Sequence, residues 1–361
     1  MSSATLKGPA KAAVHHVGQM ARKQREASQS SIGHLLTMSD VDPVLWQRCR
    51  ERLLTQAPIA LHFHPDRPAN GHGTVAQGLF QSGHYQNQFE TGHSNGLLEP
   101  SANGARARWE DRLFGDAYRQ SEALTERPKY GAWHLWPHSD GPSPRFGSCY
   151  FLLHPQVTAR ATLCFGDSHR PTESRGTRAE PDSVLAALLT ECFERDSALG
   201  VSSVPLSRWI ERMSASPAAD WLDAPPCGNL DHYVEAQVHG DVRLDRDVAT
   251  LVADPSFIGT ETGNTLEAMA RRYGFELAWH GGYRVKSESI PRDRRGPLMP
   301  GVAEQVEQIG REQGQGGWVD ASHIGLALAD SMKNPSAWGH WGIAPSQLMK
   351  WLWHVLVMSA R

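Results

Sequence analysis

Several absences narrow the class of this chain before any motif is read. Its five cysteines (Cys49, Cys149, Cys164, Cys192 and Cys227) are scattered, odd in number and without a CxxC pair. That argues against a disulfide scaffold and against a thiolate zinc site. No run of about 20 apolar residues is present, so no segment reads as membrane-spanning. The opening MSSATLKGPAKAAVHH has no continuous apolar stretch of the secretory kind. Charge of one sign is missing too. The formal net charge is -3 with histidine neutral, too balanced to announce a nucleic-acid or membrane surface. There is no GxGxxG after a strand and no Walker loop, which disfavours dinucleotide-fold and P-loop readings. NGHGTVAQG (70–78) has three glycines, but at the wrong spacing for a dinucleotide fingerprint. No internal repeat or low-complexity segment is visible. The expectation is a soluble, cytoplasmic protein. An effector delivered to another cell without a cleavable signal would look the same.

What is present can build a core. Apolar residues make up 40% of the 361, and 33 glycines bring the total into the usual globular range. Histidine (18) and tryptophan (12) are abundant, and five histidines (His62, His64, His72, His84, His93) crowd into residues 62–93.

Residues 9–36 read as helical, and Asp42-Pro43 starts a second helix through VLWQRCRERLLTQ. APIALHFH (57–64) reads as a buried strand stopped by Pro65. TVAQGLFQSG (74–83) reads as a short helix capped by Gly83. Three more strands are expected in 127–136, 145–154 and 159–168, a helix in 183–196, and another strand from 234. Residues 246–257 open as either a short helix or a strand. Residues 286–300 read as a linker before three C-terminal helices. The pattern has no regular βαβ units. It predicts an α+β fold: a central antiparallel sheet, whole or split, with helical N- and C-terminal additions. The expected division is a helical cap at 1–56, an α+β core at 57–285 and a helical region at 286–361.

Four stretches could carry chemistry. In LHFHPDR (61–67), His62 and His64 are two apart on a strand and so share a face. HxH suits zinc or iron; alternatively a histidine or Arg67 could hold a ribose hydroxyl or a phosphate. The plain alternative is a satisfied core histidine and an Asp66–Arg67 surface pair. GHYQNQFETGHSNG (83–96) concentrates Tyr85, Asn87, Gln88, Glu90, Thr91 and His93 between bending glycines, which suits a binding loop or an ordinary polar turn. Tyr130-Gly131 and Arg145-Phe146-Gly147-Ser148 begin strands and suit a pocket rim or simple strand initiation. In YVEAQVHG (233–240), Glu235, Gln237 and His239 share one strand face opposite Val234, Ala236 and Val238. That face is either a solvated edge or the wall of a pocket, where a carboxylate could stabilise a cation or act as a base. CFGDSHR (164–170) adds Asp167, Ser168 and His169 in one loop.

Taken together, HFHPDR, QFETGHSNG, ERPKYGAWHL with RFGSCYF, and YVEAQVHGDVRLDRDVATLVADPSF resemble a bacterial family of unknown function over nearly the whole chain. His93 stands where that family's pattern has a small apolar residue. More loosely, the chain resembles the ADP-ribosyltransferase superfamily, whose split antiparallel sheet clamps NAD. Here Glu235 and Gln237 look like that superfamily's glutamate strand, with the glutamate first and not second. The resemblance implies Glu235, His64 and His62 as catalytic groups. It implies Arg67, Tyr85, Glu90, Tyr130, Ser148 and Gln237 as NAD contacts, with Tyr85 or Tyr130 stacking on nicotinamide. The activity implied is transfer of ADP-ribose from NAD, a small nucleotide, to a macromolecular acceptor, in a toxin or effector. The competing expectations are a hydrolase whose divalent metal is bound by His62, His64 and His239, and a non-enzymatic binding module.

Overall fold

The computed structural model describes residues 6–69, 73–91, 104–119, 124–169, 172–314 and 316–359. One sheet organises it. Its strands in chain order are β1 (Ile59–Phe63), β2 (Lys129–Trp133), β3 (Cys149–Leu153), β4 (Ala161–Phe165), β5 (Arg175–Thr177), β6 (Val234–Val238), β7 (Val248–Ala253) and β8 (Glu276–Trp279). They lie in the order β8-β7-β3-β1-β2-β6-β4-β5. Every pairing is antiparallel except β7 with β8. The fold is α+β as expected. The sheet is whole, and this removes the split alternative: β2 bonds to both β1 and β6 and bridges the two halves without a break.

Helices precede, interrupt and follow the sheet. The α-helices longer than four residues are α1 (Gly8–Lys23), α2 (Arg25–Met38), α3 (Pro43–Gln56), α4 (Val75–Ser82), α5 (Ala105–Phe114), α6 (Asp182–Arg195), α7 (Leu206–Ser214), α8 (Glu261–Tyr273), α9 (Met299–Glu312), α10 (Ala321–Lys333) and α11 (Pro345–Ser359). Local chemistry sets several of their ends. The Asp42 carboxylate caps α3 by accepting from Val44 N. Thr74 and Gln77 form a reciprocal capping box at the start of α4, and Gly83 closes it in the left-handed region. No helix among the described residues is long and apolar enough to cross a membrane.

Strand periodicity divides the sheet into two unlike faces. Ile59, Leu61, Phe63, Trp133, Phe151, Leu153, Leu163, Ala236 and Leu251 point into the main core, with Leu53 of α3, Leu188 of α6, Trp209 of α7 and Met269 of α8. The other face is covered in two parts. Ala13 and Val17 of α1 and Trp109, Leu113 and Phe114 of α5 lie over Cys164 and Tyr130. Trp221 and Leu222 lie over Ala60, Tyr150, Leu152 and Val252. Burial of that second face decides the site, because it carries polar residues.

Close approach fixes one glycine. A Cβ on Gly147 would lie 2.2 Å from the Phe63 carbonyl carbon and 2.3 Å from its nitrogen. Neither backbone atom can move without breaking the β1–β3 ladder. Gly147→Ala is expected to lower stability by at least the 1–3 kcal/mol, roughly, of an overpacked core. Urea denaturation with an unchanged m-value would report it. A midpoint equal to the wild type's would show that the strands can spread.

Candidate active site

On β6 the strand alternation resolves into an ordered chain of hydrogen bonds. Glu235, Gln237 and His239 are all buried, so this face is not a solvated edge. The Tyr118 hydroxyl, just beyond α5, meets His239 Nδ1 at 2.7 Å, and His239 Nε2 meets Thr162 Oγ1 of β4 at 2.9 Å. Thr162 Oγ1 in turn donates to Gln237 Oε1 at 2.6 Å, and Gln237 Nε2 donates to Glu235 Oε1 at 2.6 Å. A threonine hydroxyl has one proton. Since that proton goes to Gln237, His239 Nε2–H must be the donor to Thr162, and Nδ1 accepts from Tyr118. Every proton along the row therefore points towards Glu235. Burial holds His239 neutral, with its pKa lowered to about 3 and the nearby Arg160 and Lys129 adding to the effect.

Glu235 also receives the Ser168 hydroxyl on Oε1 and the Ser168 N–H on Oε2, at 3.4 Å for the latter. Ser168 lies in the CFGDSHR loop, and its carbonyl is tied by Trp109 Nε1 of α5 at 2.8 Å. The carboxyl is thus oriented from two sides. Its pKa is raised from the ordinary 4.5 to about 7, first by burial and then by the Asp167 charge; the Ser168 and Gln237 hydrogen bonds pull the other way.

Aromatic groups surround this acid. Tyr130 is opposite Gln237 on β2. Its ring stacks on Trp109 at 5.3 Å, and the Arg106 guanidinium covers it at 4.7 Å. The Tyr130 hydroxyl donates to Glu110 at 3.0 Å. Tyr233, just before β6, is buried, and among the described residues its hydroxyl has no hydrogen-bond partner. Its ring meets the edge of Phe146 at 5.8 Å. Beside Glu235 on β2 and β1 lie only Ala132 and Ala60, so little side-chain bulk fills that row.

The structure redistributes the other sequence candidates. His62 shares the face of Glu235, but β2 separates their strands, and two strand spacings amount to about 9.5 Å. Its ring stacks on Tyr150 at 4.9 Å. Ser143 N–H donates to Nε2 at 3.4 Å, and Nδ1 lies 3.1 Å from the Gly147 carbonyl. Both ring nitrogens are occupied. Burial lowers its pKa to about 4. His64 lies edge-on to Trp353 at 5.1 Å, its pKa far below normal through burial and the Arg67 charge. His62, His64 and His239 therefore do not converge on a metal: His62 and His64 lie in and just past β1, His239 lies just past β6 on the far side of β2, and His62 and His239 have both ring nitrogens engaged.

Tyr85 is a correction as well. Its hydroxyl donates to the His62 carbonyl at 3.0 Å, and its ring meets Phe63 and Phe151. Those two belong to the main core, so Tyr85 lies across the sheet from Glu235 and cannot stack on a ligand there. Glu90 accepts from Asn87 N–H at 2.9 Å and lies 3.8 Å from Lys129 Nζ, a local structural role. Asp66 and Arg67 follow β1, and Gly325 of α10 makes room for the Asp66 carboxylate. Ser148 directly precedes β3, and its carbonyl lies 3.1 Å from His280 Nε2. His72 and His93 lie outside the described residues, as does the loop 92–96. Gln237 and Tyr130 are the two proposed ligand contacts that gather at Glu235.

Residues 58–359 match the family described as "Protein of unknown function (DUF3626)", and the chain belongs to that family. The resemblance to a family of unknown function is thereby borne out. No curated protein matches the chain.

Proposed function

We propose that the chain cleaves the nicotinamide–ribose bond of NAD and transfers ADP-ribose to a macromolecular acceptor, with Glu235 as its catalytic carboxylate. The observation that carries this reading is the polarity of the β6 row: a buried glutamate is the final acceptor of a chain of hydrogen bonds, with no cation paired to it among the described residues. An ion pair would have served stability. A carboxylate held in place and left without a cation is suited to a positive charge that arises only during reaction. Departure of nicotinamide leaves a ribose with cation-like character. Ionised Glu235 would accept from a ribose hydroxyl and stabilise that charge. Tyr130, backed by Trp109 and Arg106, offers a flat surface for the nicotinamide ring, and the unpartnered Tyr233 hydroxyl a further polar contact. A role as toxin or effector fits a modifying enzyme of this kind.

The test is nicotinamide release from NAD by the full chain, with cell extract supplied as a source of acceptors. Release together with label transfer from NAD to protein supports the reading; absence of both sinks it. The same assay has a pH signature. The Glu235 pKa is about 7, and the ionised form is the working one, so release should rise through pH 7 and level off above it. Stability should move the other way. The unfolded glutamate loses its proton near 4.5 and the folded one only near 7. The folded state therefore loses stability between those values as pH rises, and the loss is constant above them. Glu235→Gln should flatten that part of the curve in a thermal-denaturation series.

A further inference from the structure

A second cluster lies on the same sheet face, over β1 and β3. The loop that follows β2 turns back across His62 and Tyr150: the Tyr150 hydroxyl donates to the Ser139 carbonyl at 2.8 Å, and Gly141 makes room for the His62 ring. This loop meets the segment around Cys227. There His138, Asp140 and Cys227 bring one donor atom each to within 4.8 Å of one another, the first two buried and the third half-buried. A tetrahedral ion with bonds of about 2.0–2.3 Å holds its ligands about 3.5 Å apart. Closing on a metal asks for movements of about an ångström.

We propose that His138, Asp140 and Cys227 form a zinc-binding site. Three observations support it. His138 Nε2 is 2.7 Å from the Leu199 carbonyl. The carbonyl can only accept, so Nε2 carries the proton and Nδ1 keeps its lone pair, the usual arrangement behind a metal-ligating histidine. Asp140 receives the Tyr283 hydroxyl on Oδ2 and Cys227 N–H on Oδ1, the latter at 3.1 Å. Those bonds fix the carboxylate and hold the cysteine against it. The donor set of imidazole, thiolate and carboxylate suits zinc and not calcium or magnesium, which take oxygen alone. With three protein ligands, a fourth position is left for water or a bound molecule. His138 and Ser139 also line a cavity of about 490 Å³ with Trp136, Arg212 and Trp221, which offers an ion a way in. The site shares no residue with the Glu235 row and stands independently of the NAD reading.

The experiment is to equilibrate the full chain with zinc under reducing conditions, remove loose metal and measure what each chain retains. Stoichiometric zinc is expected. Cys227→Ser and His138→Gln should each weaken binding by more than about 100-fold, because losing a group that merely holds a ligand in place already costs about 10–100-fold. Circular dichroism checks that both variants fold. Cobalt in place of zinc should give a thiolate-to-cobalt absorption band that disappears in Cys227→Ser. No retained zinc in the wild type overturns the site, and so does a cobalt–thiolate band that survives Cys227→Ser.

Discussion

Glu235→Gln should reduce nicotinamide release by about 10²–10³-fold, the size seen when one preorganised electrostatic contact to a transition state is removed. The substitution is nearly isosteric and removes the charge. KM for NAD should change little, because the charge being stabilised does not exist in the ground state. The fold should survive and even gain: Glu235 is buried and raised to about 7, so a neutral amide is easier to keep in that position than a carboxylate. A more stable protein with collapsed kcat would separate a catalytic glutamate from a structural one. A variant that keeps wild-type turnover would end the proposed role. Thr162→Val makes a graded companion. It removes the hydroxyl that donates to Gln237, leaving the amide free to turn and Glu235 less well oriented. A smaller fall in kcat is expected, with the pH profile shifted upwards because a bond to the charged form is weakened.

The strand carrying Glu235 could be read from YVEAQVHG because alternation is a local property, and so could its polar face. Whether that face was wet could not be read. The answer depends on α5 and Tyr118, more than 110 positions earlier, and on Trp109 reaching the Ser168 carbonyl across 59 positions. The same limit explains the histidines. Their spacing placed His62 and His64 on one side of β1, but His62 spends its nitrogens on backbone groups of residues 143 and 147, which no side-chain pattern announces. Tyr85 was misassigned because it belongs to no strand; a loop residue has no parity, and its ring turned to the apolar face. His138, Asp140 and Cys227 were missed for want of a motif. Asp140 and Cys227 are 87 residues apart, and only the returning loop after β2 joins them. The antiparallel sheet itself was legible because its strands are short, apolar on one side and punctuated by proline and glycine. Its continuity was not, since strand order depends on pairing between distant segments.

Arg127→Met should cost about 3–5 kcal/mol, the largest stability effect expected in this chain. Glu110 is completely buried on α5 and accepts from Arg127 Nη1 at 2.7 Å and from the Tyr130 hydroxyl at 3.0 Å. Burial already raises its pKa, and the charges of Arg106 and Arg127 oppose that rise. Removing Arg127 leaves Arg106, at 3.7 Å, as the one cation within ion-pair range of that carboxylate among the described residues. The protein must then protonate Glu110 or open α5. The first course predicts that Arg127→Met is least damaging at acidic pH, where a neutral Glu110 needs no cation. Combining Arg127→Met with Glu110→Gln should restore only part of the loss, because the carboxylate no longer lacks its cation but the buried Arg106 loses its ion-pair partner. Denaturant unfolding of the two single variants and the double variant would give the coupling directly. Strict additivity would mean that the pair does not act as a unit. Activity would follow stability here for a physical reason: α5 also carries Trp109, the residue that holds the Ser168 loop against Glu235, so a helix loosened by the missing cation releases one of the two sides that orient the catalytic acid.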